Sequence, residues 1–238
     1  MQILYIVATP IGNLEDLTFR ALKTLKEVDL ILCEDTRVTK KLLCHYGIKT
    51  PTLSYHQHSR LQKINYILEI LKEGKNLALV SDAGTPGVSD PGNKLIQEIL
   101  RFAETRPLEI KIVPIPGASA VTAAASIFGF PMDKFLFLGF PPTKRKRKKF
   151  FEEVINSKYP VIFYESPYRI IKTLKELSSF IREIRGQISE NSRIVVCREL
   201  TKKFETIYRG KIEKVIKKIE KDKILGEFVV IIGADLRG

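Results

Sequence analysis

The chain has 238 residues, 44% of them hydrophobic and 28% charged, a composition that excludes an acidic disordered protein and allows one large domain or two modest ones with real cores. Forty Lys and Arg against 27 Asp and Glu give a net charge of +13, which points toward an anionic partner. The excess is uneven: residues 1–119 carry 15 basic and 13 acidic side chains, and residues 120–238 carry 25 and 14.

Three cysteines, Cys33, Cys44 and Cys197, lie far apart and exclude both a disulfide scaffold and a CxxC metal pair. Cys33 and Cys197 fall in apolar runs and read as buried filler. The start MQILYIVATPIGN has no basic leader, and no run reaches the roughly 18 apolar residues of a membrane span. The expected compartment is the cytoplasm, with no membrane contact.

In chain order, the patterning predicts a strand at Gln2–Ala8, a helix at Leu17–Leu25, a strand at Asp29–Cys33, and helices at Arg37–His45 and Leu61–Leu71. Strands follow at Leu77–Ser81, Ile110–Ile115, Phe135–Phe140 and Val161–Tyr164. The rest reads as a helix at Tyr168–Phe180, a strand at Ile194–Cys197, a helix at Ile212–Glu220 and a last strand at Phe228–Ile232. The strands are continuous apolar runs, which suits cover on both faces. This alternation predicts an α/β protein with mainly parallel sheet. ProIleProGly at Pro114–Gly117 breaks the pattern where the charge shifts. We read two α/β domains, 1–115 and 116–238; one larger sheet is the alternative.

Ligands of open α/β sheets bind beyond the carboxyl ends of the strands, so the loops there carry the functional information. Ala8–Thr18 holds Pro10 and Gly12, with Asp16 or Thr18 as candidate helix caps. Ser81–Gly92 packs three glycines, two prolines and two aspartates into twelve residues, more than a plain connection needs. Gly84, Gly87 and Gly92 permit close backbone approach, and Asp82 is placed to accept from a ligand hydroxyl or amine. Pro114–Ala125 leads into a helix of small residues, where the backbone of Ser119 or Ala120 can face a ligand. Phosphate and nucleophile motifs fail. Gly87–Lys94 lacks the adjacent GlyLys of a P-loop, no GxGxxG follows the first strand, and there is no GxSxG elbow. His45, His56 and His58 have no metal-ligand spacing, and His56 and His58 read as surface residues, so no metal is expected.

The second half adds PheTyrGluSerProTyrArg at Phe163–Arg169, CysArgGluLeuThrLysLysPheGlu at Cys197–Glu205 and GlyGluPheValValIle at Gly226–Ile231. Each sets polar residues at a strand end. Lys144–Lys149 is six consecutive cations between a strand and a helix. They repel one another and oppose the helix dipole, a cost that a bound polyanion would offset.

These segments together resemble the tetrapyrrole methylase superfamily, and within it the ribosomal RNA small-subunit methyltransferase I subfamily. The likeness runs from LeuTyrIleValAlaThrProIleGlyAsnLeu to GlyGluPheValValIle. Its most specific pieces are GluAspThrArg at Glu34–Arg37, ValSerAspAlaGlyThrPro, PheTyrGluSerPro and ArgGluLeuThrLys. In this chain Gly87-Val88 stands where the subfamily usually reads LeuIle, Gln57 where it reads Glu, and Tyr168 where it reads His, so no imidazole acts there. The resemblance implies two α/β domains with S-adenosylmethionine in the cleft between them. It implies 2′-O-methylation of a cytidine in small-subunit ribosomal RNA by a homodimer. It places Pro10, Asp82, Gly84, Pro86, Gly87, Ser119 and Ala120 at the donor from the first domain. Tyr164, Glu165, Leu200, Glu227 and Phe228 approach it from the second.

A ribose hydroxyl is a poor nucleophile, and a nearby carboxylate can act as base or acceptor. Glu34, Asp35, Glu165 and Glu199 all lie at strand ends. Asp35 and Glu165 are the candidates, against an ion pair with Arg37, Arg169 or Arg198. Catalysis by orientation alone is the third option. Phosphate contacts are expected from Arg37, Lys144, Arg145, Lys146, Arg147, Lys148, Lys149, Arg169, Lys202 and Lys203. Two other functions are the alternatives. A tetrapyrrole C-methyltransferase typically reads GlyProGly where this chain has ThrProIleGly, and a non-catalytic ribosome-binding protein on the same fold would not bind the methyl donor.

Overall fold

Apolar runs without polar alternation become strands sandwiched between helices. Four of them, with one short three-residue strand, build the first sheet. The computed structural model describes residues 2–55, 61–90, 92–104, 109–185 and 193–233. The chain divides into two units, Met1–Ser119 and Ala120–Gly238, four residues beyond the boundary read from the sequence.

The first unit has strands β1 (Gln2–Val7), β2 (Leu30–Cys33), β3 (Thr52–Ser54), β4 (Leu77–Val80) and β5 (Ile110–Ile115). They pair in parallel in the order β3-β2-β4-β1-β5. Helices α1 (Phe19–Glu27), α2 (Thr36–His45), α3 (Leu61–Lys72) and α4 (Gly92–Glu104) complete it. The period of two splits the core. Leu77 and Leu79 join Ile67, Leu71, Leu95 and Ile99 from α3 and α4. Ala78 and Val80 join Ala21, Leu25 and Leu43 from α1 and α2. Pro114 lies in β5, an edge strand, where a missing N–H is tolerated. Thr18, rather than Asp16, caps α1, its hydroxyl accepting from Ala21 N at 3.1 Å.

The second unit runs α5 (Ala120–Ser126), β6 (Leu136–Phe137), α6 (Arg147–Asn156), β7 (Val161–Glu165), α7 (Ile170–Arg185), β8 (Ile194–Arg198), β9 (Thr206–Gly210), α8 (Ile212–Glu220) and β10 (Phe228–Ile232). Its sheet order is β6-β7-β10-β8-β9. Parallel pairing, expected to dominate, is confined here to β6–β7. Strand β10 inserts antiparallel between β7 and β8, and β9 returns antiparallel along β8. Phe150, Phe151, Phe163, Leu174, Leu177, Val196, Val215 and Phe228 form one core. Full burial of such a side chain contributes about 1.5–3 kcal/mol. Cys33 and Cys197 are buried and Cys44 is exposed. Burial pushes the Cys197 thiol up to about 11. Among the described residues no helix is long and apolar enough to cross a membrane. His56, Gln57 and His58 lie outside the described residues.

Candidate functional site

In the first unit the parallel strands bring the loops after β1, β2, β4 and β5 to one edge. Two of these loops are stitched together: Thr9 N donates to Gly84 O at 2.9 Å, and Gly84 N to Thr9 O at 3.1 Å. The Thr9 hydroxyl donates to Ser81 O at 3.3 Å, and the Thr85 hydroxyl ties the loop to Ala118 O at 3.2 Å. Gly84 and Gly87 sit at φ +81° and +86°, where a side chain is strained. Asp90 Oδ1 accepts from Gly87 N and Gly92 N, both at 2.7 Å. The loop shape is therefore set by internal bonds. Pro10 and Pro86 are buried in it, and Asp82 is exposed on it. A cavity of about 10 Å³ beneath, lined by Glu34, Tyr55, Ser81 and Asp90 among others, has room for a water at most.

Asp82 Oδ1 accepts from Asp35 N at 3.0 Å, joining the loop after β2 to this edge. Asp35 caps α2, accepting from Arg37 N at 2.8 Å, and its carboxylate takes Arg37 Nη2 at 2.6 Å. These bonds from Arg37 hold the Asp35 carboxyl well below its usual range, at about 2. A carboxylate held there is a poor proton acceptor at neutral pH, so the ion-pair alternative describes Asp35 better than the base. Burial, with the nearby Asp82 and Asp90, pushes Glu34 up.

In the second unit β6, β7 and β8 run the same way, so their carboxyl ends share an edge with the start of β10. Glu165 pairs with Phe228, and Phe228 with Arg198. Glu165 sits there with its side chain fully enclosed. Its oxygens take Ser166 N at 2.8 Å, the Thr173 hydroxyl at 2.6 Å and Arg169 Nη2 at 2.9 Å. A fully enclosed carboxylate with three of its roughly four acceptor sites so taken anchors its neighbours. The expectation of a catalytic base at Glu165 gives way to this anchoring geometry.

Two arginines expected at phosphate are anchors too. Arg169 also donates to Pro141 O at 3.1 Å. Arg147 donates to Glu176 Oε2 at 2.6 Å, to the Thr173 hydroxyl at 2.7 Å and to Pro142 O at 2.9 Å, and its guanidinium lies over the Phe151 ring. Together they pin the chain entering the basic run. Lys144, Arg145, Lys146, Lys148 and Lys149 stay exposed, and no ion pair engages them among the described residues. Lys202 is also held inward, by Glu199 Oε1 at 2.8 Å and Glu227 Oε2 at 2.9 Å. Lys203 lies over the Phe204 ring, and the Arg37 side chain is 87% exposed beside its partner.

The residues expected at the donor fall into two groups here. Tyr164 is half-buried against Phe137 and Phe140, and burial pushes its hydroxyl up to about 12. Leu200 is buried, and Phe228 is buried with its backbone in the ladder between β7 and β8. Glu227 is exposed. Ser119 ends the first unit and Ala120 opens α5. The sequence reading missed Thr173 and Glu176, which follow Arg169 by four and seven residues on one face of α7; that spacing was the available signal. It also missed Gly226, at φ +89°, where a Cβ would lie 2.2 Å from Glu199 Cδ. Among the described residues no group of three or more His, Cys, Asp or Glu could hold a metal.

Comparison with known proteins places this arrangement. Residues 3–216 match the family model of Tetrapyrrole (Corrin/Porphyrin) Methylases. The chain is 45% identical over 229 residues to the ribosomal RNA small subunit methyltransferase I of Thermotoga maritima, covering 96% of this chain and 97% of that one. It is 46% identical over 234 residues to the protein of that name from Bacillus subtilis, covering 98% and 75%. Among solved structures, a cobalt precorrin-4 methyltransferase superposes with a TM-score of 0.68 at 20% identity, covering 99% and 96%. A uroporphyrin-III C-methyltransferase from Thermus thermophilus gives 0.62 at 15%, covering 98% and 95%; both likenesses speak for the fold alone. From the full-length relatives and the family model together, the chain belongs to the tetrapyrrole methylase family and, within it, to the ribosomal RNA small subunit methyltransferase I group.

Proposed function

We propose that this chain transfers a methyl group from S-adenosylmethionine to the 2′-hydroxyl of a cytidine ribose in small-subunit ribosomal RNA. The observation that carries it is the near-full-length identity of about 45% to relatives named for that RNA, joined to a basic run displayed on a strand-end edge. The enzyme works in the cytoplasm as a homodimer, and it needs no metal.

When bound, the donor supplies an electrophilic methyl group. The first unit offers a fitting cradle: backbone at Pro10, Gly84, Pro86, Gly87 and Ser119, and the exposed Asp82 carboxylate to accept from a donor hydroxyl or amine. In the second unit, Ala120, Tyr164, Leu200, Glu227 and the backbone of Phe228 are the proposed donor contacts. Neither Asp35 nor Glu165 is set to take the hydroxyl proton. The acceleration therefore rests on orientation, which supplies up to about 7–11 kcal/mol in favourable cases. Asp35 and Arg37 contribute as acceptor and phosphate partner at the edge. Lys144, Arg145, Lys146, Lys148, Lys149 and Lys203 contact phosphate, and this gives affinity and salt dependence without sequence choice. Arg147, Arg169 and Lys202 hold the loops that present them.

A labelled-donor assay on unmethylated small subunits, followed by mapping of the modified nucleotide, tests the reading. Label on the ribose of one cytidine is the expected result. Label on a tetrapyrrole instead, or no donor binding by calorimetry, would overturn it.

A further inference from the structure

The strand-end edge of the second unit carries more than cations. Three aromatic side chains stand exposed on it: Phe140 after β6 at 51%, Tyr168 after β7 at 94% and Phe204 after β8 at 66%. A ring 94% exposed packs on nothing, so the fold gains almost nothing from it. Yet the turn that carries it is braced on both sides of the ring. Arg169 N and Ile170 N donate to Ser166 O at 3.1 and 3.0 Å. The next side chain, Arg169, is fixed to Glu165, Ser166 and Pro141. The same bond from Arg169 to Pro141 O ties this turn to the start of the loop that leads to Lys144–Lys149.

We propose that the Tyr168 ring is a stacking platform for an unpaired nucleobase of the RNA, set beside the cations that hold its phosphates. The proposal rests on the RNA reading above. An exposed ring on a braced turn next to a basic loop is the combination that single-stranded nucleic acid uses: the groove binds the backbone, and the ring takes a base face. Because Glu165, Thr173, Arg147 and Arg169 form one bonded network across the loop and the turn, little conformational freedom is lost when the base stacks. The ring adds a contact that a simple polyanion cannot make.

The chain has no tryptophan, so Tyr168→Trp introduces a single indole as reporter. The probe is a labelled single-stranded oligoribonucleotide of about 10 nucleotides, within the site sizes of such grooves. Its binding is followed by anisotropy, and the indole by emission. We expect the oligonucleotide to quench the indole and inorganic polyphosphate to leave it bright. Tyr168→Ala weakens the oligonucleotide about 5- to 150-fold at unchanged Tm, and Tyr168→Phe restores the affinity. An oligonucleotide that binds without quenching, or an alanine variant of unchanged affinity, overturns the platform and leaves the RNA reading standing. An oligonucleotide that does not bind the unaltered chain overturns the platform, while the RNA reading is decided separately by the small-subunit assay.

Discussion

Thr173 is fully buried on α7, and its hydroxyl serves two charged groups at once: it donates to Glu165 and accepts from Arg147. Thr173→Val keeps the shape and removes both bonds, so a buried charged network loses a member. That costs about 1–3 kcal/mol, read as a lower urea midpoint at unchanged slope. Thr173→Ser should recover most of it. A loss below about 0.5 kcal/mol, the range of surface substitutions, would show that the network adds nothing to the fold. Asp35 makes the opposite kind of contribution, at the surface. Its carboxyl is held at about 2 against the ordinary 3.8, so the folded state favours the ionised form. The stabilisation is fully present above pH 3.8 and is lost as pH falls through 2. Asp35→Asn keeps a cap acceptor and removes the charge. The stability gap between the two proteins should be small, because the pair is exposed, steady at neutral pH, and should close across that acidic window. A gap that does not change with pH refutes the assignment.

At the scale of elements, α6 shows what a run of cations does to a helix start. Its first turn is Arg147, Lys148 and Lys149 with no acidic residue, and its N-cap is Lys146 at φ +66° with no side-chain cap. Left-handed backbone at a side-chain-bearing residue costs about 1–2 kcal/mol. Lys146→Gly should therefore stabilise the protein by about 1 kcal/mol and yet lower the salt slope of RNA binding by about 0.7. Thermal unfolding and a salt series read the two effects separately; a gain in stability with an unchanged slope would remove Lys146 from the phosphate contacts. Elements also show how much was legible. The apolar runs at Gln2–Val7, Leu77–Val80 and Phe228–Ile232 read directly as strands, because each is covered on both faces. Direction did not read. A run such as Phe228–Ile232 has the same pattern whichever way its neighbours point, and β10 reaches its place between β7 and β8 by topology alone. Strand β9 was hidden by polar and charged residues on a sheet edge, and β3 by its three-residue length. The donor-side loops were legible from glycine and proline density. The anchoring of Arg147 and Arg169 was not, since six adjacent cations look alike until the fold turns one of them inward.

At the scale of the molecule, the charge is segregated between two units with separate cores. The first carries the Asp82 loops and a near balance of charge, the second an excess of eleven cations. Donor affinity and RNA affinity should then respond differently to salt and to neutralisation. Replacing Lys144, Arg145, Lys148 and Lys149 together by Gln removes four exposed charges and none of the inward-bonded arginines. At about 0.7 of slope per phosphate contact on a single strand, the dependence of log K on log salt should flatten by about 3. Calorimetry should find donor affinity unchanged, because these side chains lie outside the donor cradle. Arg147→Gln is the contrasting variant. It removes the same charge from the same run but takes a donor from each of Glu176, Thr173 and Pro142. It should lower stability by about 1–3 kcal/mol, the cost of leaving partly buried hydrogen-bonding groups without a partner. If Arg147→Gln instead flattens the slope without loss of stability, the division of this run into one anchor and five displayed cations is wrong, and all six residues face the RNA alike.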